Sequence, residues 1–332
     1  MKRTINSYHL LYASSGIALG TFALLLSACN GPASSMSPTG VIPQRTHAKP
    51  PTGSATPTPI PFTYSTVNDP NSKTNKVTGI NQLAKVVGVF GGGSASSVWE
   101  SYTSQSPYVQ FRPTNYPGAQ GTYATGLSSN KIIVGYVLTP NGLNGTWGFV
   151  KNGGVWTLMQ DPNVGANNCA VTELNGINDS KNAVGFYLDS NCTSNAFVEN
   201  TITEQYTVIN PPGATSAYAT GINGKGDISG TATINGSTVG YYLQTGTYYT
   251  FAYPQATRTE ALSLNWQDQV VGDYTDQNGM VHGFVLTYPT HGSGARLWQS
   301  VDEPKATGGT VITGINNHDA ISGYYIDAQG NT

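Results

Sequence analysis

Charge is the first thing this chain has little of. Of its 332 residues only 10% are Asp, Glu, Lys or Arg, and fifteen basic against seventeen acidic side chains leave a formal net charge of −2. That balance excludes the basic footprint of a nucleic-acid binder and the strong field that gathers charged substrates. No nucleic-acid partner is expected. Histidine is sparse as well. Past residue 62 only His282, His291 and His318 occur, none with a second His or Cys at metal-ligand spacing, so neither a metal nor a cofactor is expected. A Gly-x-Ser-x-Gly elbow, a phosphate loop and a dinucleotide fingerprint are all missing. The glycine run at Gly91-Gly92-Gly93-Ser94 has no Lys and opens no helical pattern. No window of the repeat region is periodic enough for a helix, which excludes helical repeats.

What is abundant is glycine, 40 residues, and tyrosine, 20. This composition fits a secreted β-rich protein with many tight turns. The glycines are ordered: a first glycine at Gly79, Gly126, Gly176, Gly221 and Gly314, replaced by Ser263 in the fifth copy, is followed nine residues later by Gly88, Gly135, Gly185, Gly230, Gly272 and Gly323. Successive first positions lie 47, 50, 45, 42 and 51 residues apart, the period of propellers and stacked arrays.

Four strands are read per unit. The first ends in an apolar residue followed by Asn or Ser (Ile80-Asn81, Leu127-Ser128, Ile177-Asn178, Ile222-Asn223, Leu264-Asn265, Ile315-Asn316), where the polar side chain can bond its own backbone and open a turn. The second strand holds the second glycine, expected where a neighbouring blade approaches closely. The third places a small residue before an aromatic, as in Gly148-Phe149, Ala196-Phe197, Gly240-Tyr241 and Gly283-Phe284, with Val98-Trp99 as a loose match in the first unit. The fourth begins with an aromatic and stops at proline, as in 156–162 and 249–254. Phe62-Thr63-Tyr64-Ser65-Thr66-Val67 copies that fourth strand ahead of the first unit and is expected to close the ring. The fold expected is therefore an all-β, six-bladed β-propeller of four-stranded repeats of about 47 residues. Its last blade is incomplete, because the sequence ends before a third strand; truncation or imperfect closure would account for this.

Residues 1–28 read as an export signal, with Lys2 and Arg3 at the positive end, Ile17 to Leu26 as the apolar segment and Leu26-Ser27-Ala28-Cys29 as the processing site. The leader resembles a bacterial lipoprotein signal, which implies acylation of Cys29 and a membrane partner through the lipid. Asn30 after that cysteine points to the outer membrane or the cell surface. Residues 29–61 are rich in Pro, Ser and Thr and cannot bury enough surface to fold, so they read as a tether before the repeat domain at 62–332. The remaining pair, Cys169 and Cys192, flanks the inner hairpin of the third unit, where two antiparallel strands return the chain to its starting side. A disulfide is expected there in an oxidising compartment, two free thiols being the alternative.

The units Gly176 to Val198 and Ser263 to Val285, with Asn195-Ala196-Phe197 and His282-Gly283-Phe284, resemble the bacterial extracellular repeat named for a His-Ala-Phe motif, the HAF repeat family. The resemblance implies an extracellular location and a repeat fold; it implies no particular chemistry.

Candidate chemistry is thin. Asp179 with Asp189, Asp268 with Asp273, and Asp302 with Glu303 are acid/base or calcium-ligand candidates that recur at turns, where Asp is preferred for backbone reasons. Tyrosines and the five tryptophans suit glycan or protein contacts, or packing between blades. The function expected is a lipid-anchored extracytoplasmic binding or scaffolding module for protein or glycan partners. The competing class is a propeller hydrolase or lyase with its active site at one face of the ring; a third reading is a spacer array without a ligand.

Overall fold

A computed structural model describes residues 62–67, 72, 74–91, 99–288, 296–330 and 332. The expected signal at 1–28, Cys29, the tether at 29–61 and His291 lie outside the described residues. Among the described residues twenty-two strands follow one another, and each blade is a meander whose neighbours in sequence pair antiparallel. Blade 1 holds β1 (Thr74–Ile80), β2 (Val86–Gly91), β3 (Glu100–Ser104) and the two-residue β4 (Arg112–Pro113). Blade 2 holds β5 (Gly121–Leu127), β6 (Ile133–Leu138), β7 (Thr146–Asn152) and β8 (Val155–Met159). β9 (Thr172–Ile177), β10 (Asn182–Leu188), β11 (Ser194–Asn200) and β12 (Gln205–Val208) make blade 3. Blade 4 runs through β13 (Ala214–Ile222), β14 (Ile228–Ile234), β15 (Ser237–Gln244) and β16 (Thr247–Phe251), and blade 5 through β17 (Arg258–Leu264), β18 (Gln269–Thr275), β19 (Val281–Thr287) and β20 (Leu297–Val301). A last hairpin, β21 (Gly309–Ile315) and β22 (Ile321–Ile326), stands alone as a two-stranded sheet.

The chain is thus an all-β propeller, but five four-stranded blades form rather than six. The hairpin β21–β22 fills the remaining sector: its threonine Thr313 donates to the Val77 carbonyl at 2.7 Å and Asn316 to that of Asn81 at 3.2 Å, so the inner strands close a circle. Residues 62–67 are not a strand, which corrects the expectation of a closing fourth strand. Phe62 and Tyr64 instead pack on the apolar cluster of Val301, Ile312 and Ile321, and the Tyr64 hydroxyl donates to the Asp302 carbonyl at 3.0 Å. The physical reason is that among the described residues β22 is paired with β21 alone, so no third strand there presents 62–67 with a ladder.

Five inner hairpins turn on an Asn, and the sixth on Ser128, whose hydroxyl accepts the Ile132 N–H. In blade 4 the Asn223 Oδ1 accepts the N–H groups of Lys225 at 2.9 Å and Asp227 at 3.0 Å, which fixes the turn. The same geometry recurs at Asn81, Asn265 and Asn316. Just before the turn every inner strand slips by one residue, between Val184 and Gly185 of β10 against β9 and at the matching places elsewhere. Such a bulge pushes a backbone carbonyl toward the partner strand. A Cβ at Gly185 would overlap the Glu173 carbonyl, and one at Gly272 that of Glu260. The second glycine is therefore required by its own hairpin, which corrects the expectation that a neighbouring blade approaches it. That approach belongs to the first glycine: a Cβ at Gly126 would stand 3.1 Å from the Gly176 Cα, and one at Gly176 3.3 Å from the Gly221 Cα.

Between the blades lies the core. The aromatic of each third strand, Tyr102, Phe149, Phe197, Tyr241 and Phe284, has no exposed surface. Blade 1 takes Ser101-Tyr102 for this role, Tyr102 standing opposite Gly88; Val98 of the expected Val98-Trp99 match lies outside the described residues. One cluster joins Val134 and Met159 of blade 2 to Leu174, Ile177 and Phe197 of blade 3. Burial of each such large side chain contributes about 1.5–3 kcal/mol. Cys169 and Cys192 are joined across 23 residues, with Cα atoms 4.9 Å apart.

Candidate functional site

Around the ring axis the inner strands enclose a channel of about 710 Å³. Its wall is made by two registers of side chains. The residue before each first glycine, Thr78, Thr125, Asn175, Thr220 and Thr313, donates across to the next blade's carbonyl (Ala124, Leu174, Ala219, Ala261 and Val77) at 2.6, 2.7, 3.0, 2.7 and 2.7 Å. Leu262 occupies the sixth place and has no donor to offer. One level nearer the turns, the Nδ2 of Asn81, Asn178, Asn223, Asn265 and Asn316 donates to the carbonyls of Ser128, Asn223, Asn265, Asn316 and Asn81 at 3.0 to 3.2 Å. Ser128 is too short to make the sixth link. There Asp179 bridges the same two blades by accepting the Ser129 N–H at 2.7 Å.

The two mouths differ. Toward the turns the lining is polar, with Gln82, Ser129, Asp179 and Asn317, and Trp266 half-exposed over Gly224. At the opposite end, where the inner strands begin, four aromatic rings gather with two ionisable groups: Trp99, Tyr123, Tyr136 and Tyr324 line the channel beside Lys76 and Glu173. Tyr123 and Tyr136 are cross-strand partners whose rings stack 4.6 Å apart at 10°, and Trp99 tilts against Tyr123 at 5.6 Å. The Lys76 ammonium lies 4.6 Å from the centre of the Tyr324 ring. Burial pushes the Glu173 carboxyl up to about 8, pushes the Lys76 ammonium down from the usual lysine range, and raises the Tyr123 hydroxyl, which Glu173 raises further. Glu173 is far from bulk water but keeps surface on the channel itself.

Beside this end sits a buried charge cluster. Arg258 bridges Glu260 at 3.0 Å and Asp273 at 2.8 Å, both carboxylates being almost fully buried. Burial drives both carboxyls upward, and Arg258 pulls each back. Such a triad is paired within itself and offers nothing outward.

The residues singled out from sequence fall mostly elsewhere. The Asp189 carboxylate accepts the N–H groups of Asn191 and Thr193 and closes a turn. Asp268 accepts the Tyr242 hydroxyl at 2.9 Å. Asp302 meets His282 Nδ1 at 2.9 Å, and Glu303 accepts the Lys305 N–H at 2.6 Å. None of these pairs converges on another, and no group of three metal-ligating side chains occurs among the described residues. Of the acidic candidates only Asp179 borders the channel. Lys76, Tyr123 and Glu173 were not recognised from sequence, although each stands three residues before a first glycine; the signal was variation at one fixed place of the repeat.

No protein-family model matches the chain, so the HAF resemblance rests on its motifs alone. No curated protein matches it either. Among solved structures, a TolB-type protein from Agrobacterium tumefaciens is similar with a TM-score of 0.56 at 10% identity, over 79% of this chain and 94% of that one. TolB from Acinetobacter baumannii follows at 0.51 and 9%, over 79% of this chain and 65% of that one. The Aleuria aurantia lectin in complex with α-methyl-L-fucoside gives 0.48 at 11%, over 78% and 89%. At such identities the TolB structures share the fold with this chain, and the fold is that of a β-propeller.

Proposed function

We propose that the chain is a lipid-anchored, extracytoplasmic β-propeller that serves as a binding module, and that it takes a glycan in its axial channel. The observation that carries this reading is the aromatic end of that channel, where Trp99, Tyr123, Tyr136 and Tyr324 line one cavity with Lys76 and Glu173. Concave sites with aromatic walls and a few convergent polar groups are the usual form of small-ligand sites. Aromatic rings offer flat apolar faces to the C–H side of a sugar, while hydroxyls and charged groups meet its oxygens. The leader ending in Leu26-Ser27-Ala28-Cys29 supports export and anchoring.

A glycan screen with the whole chain tests the reading, followed by titration of each hit against a Tyr136→Ala variant. Saturable binding weakened by about tenfold or more in the variant is expected, the size of one lost stacking contact with its area burial. Absence of any saturable hit, or hits indifferent to Tyr136→Ala, would count against the channel as the site.

One observation favours the second reading, a propeller hydrolase or lyase. Glu173, with its carboxyl held up to about 8, borders the channel as a general acid would. Turnover of a bound glycan, lost in Glu173→Gln, would decide for it.

A further inference from the structure

Lys76 of β1, Tyr123 of β5 and Glu173 of β9 stand at one level on three successive blades, each three residues before its unit's first glycine. Another partly buried cation is paired: Arg258 has two carboxylates within 3.0 Å. Lys76 has no carboxylate within ion-pair distance among the described residues, and Glu173 makes no ion pair. What faces the Lys76 ammonium is the Tyr324 ring and the open channel. An unpaired charge in such a place is costly unless something compensates it. A bound anion would do so.

We propose that this end of the channel binds an acidic sugar, a pyranose carrying a carboxylate, with Lys76 on the carboxylate, the Trp99 and Tyr123 side of the channel against the ring's apolar face, and Glu173 on a hydroxyl. This rests on the glycan-binding reading above and names its ligand class. At neutral pH the Glu173 carboxyl is largely protonated, so it donates to a hydroxyl and does not repel the anion. The local charge is then that of Lys76 alone. A neutral sugar would leave that ammonium uncompensated, and a cationic ligand would be repelled by it. The channel, at about 710 Å³, has room for more than one ring, so a terminal or internal acidic residue of a longer glycan also fits.

The test is calorimetric titration of the whole chain with D-glucuronic acid and with D-glucose. Glucuronic acid is expected to bind about tenfold or more tighter, the worth of one charge-assisted contact. Lys76→Met should abolish that preference, while Lys76→Arg should keep it. Thermal melts establish that each variant folds. Should Lys76→Met not fold, added salt with the wild-type chain serves instead: it should weaken glucuronic acid binding and spare glucose. Equal affinity for the two sugars, a preference that survives Lys76→Met, or an acid affinity indifferent to salt would overturn the proposal. If neither monosaccharide binds while the wider screen gives neutral glycans, the acidic-sugar inference fails and the binding-module reading stands. If the screen is empty, both fail.

Discussion

A single side chain shows how far burial alone can set chemistry in this protein. Glu199 of β11 has no exposed surface, and neither carboxylate oxygen makes a hydrogen bond of normal geometry, although the Tyr206 hydroxyl lies close enough to steady the charge. Burial first, then the charges of Glu204 and Asp161, push its carboxyl up to about 7. A carboxyl raised from 4.5 in the unfolded chain to about 7 in the folded one favours folding while it stays protonated. That contribution is complete below pH 4.5 and is lost as the pH rises through about 7. Glu173 acts in the same direction with its own upper limit near 8. The melting temperature should therefore fall between pH 5 and pH 8. Glu199→Gln should flatten the slope, raising the pH 8 value by roughly 5 °C relative to the wild type. A melting profile flat over that range in the wild type would refute this account of Glu199.

The turn asparagines at the same scale mark what could be read from sequence and what could not. Their Oδ1 half was legible, because a side chain that bonds the N–H groups two and four residues on is a local event. Their Nδ2 half was hidden, because the accepting carbonyl stands 42 to 51 residues away in the next unit. The base, tyrosine and acid at 76, 123 and 173 were hidden for another reason. A search for what repeats passes over the position at which the copies differ.

At the scale of the element, the two glycines of a unit have separate work. The second faces a bulged carbonyl in its own hairpin, and the first faces the next blade's backbone. Gly185→Ala should thus cost about 3 kcal/mol or more, since a fixed carbonyl must move, whereas Gly176→Ala should cost about 1–2 kcal/mol because its nearest neighbours stand at 3.2 to 3.4 Å. Urea melts of the two variants compare them directly; equal losses would mean that the glycines are interchangeable. The links between elements can be completed as well as broken. Five of six turn positions carry an Asn that reaches the next blade, and Ser128 is the exception. Ser128→Asn should donate to the Asn178 carbonyl and add about 0.5–1.5 kcal/mol, provided its Oδ1 keeps the turn. A loss of stability in the same melts would show that the sixth link is closed by Asp179 in a way that excludes it.

For the whole molecule, repeat counting reached the propeller and overcounted its blades. Six copies of the inner hairpin exist, and all six surround the axis, but a complete blade also needs an outer pair of strands. Among the described residues five copies have one. The inner-hairpin signature is the strongest in the sequence because it is held by backbone constraints that tolerate few residues, so it reports the number of sectors and not the number of full sheets. The closed inner circle nevertheless makes the axial channel, and that channel joins the functional proposals to the fold. The measurement that tests this most directly is a crystal structure of the chain with a glycan that it binds saturably. The sugar ring is predicted inside the channel, bounded by Trp99, Tyr123 and Lys76. A glycan seated on the outer rim between blades, with the channel empty, would contradict the account.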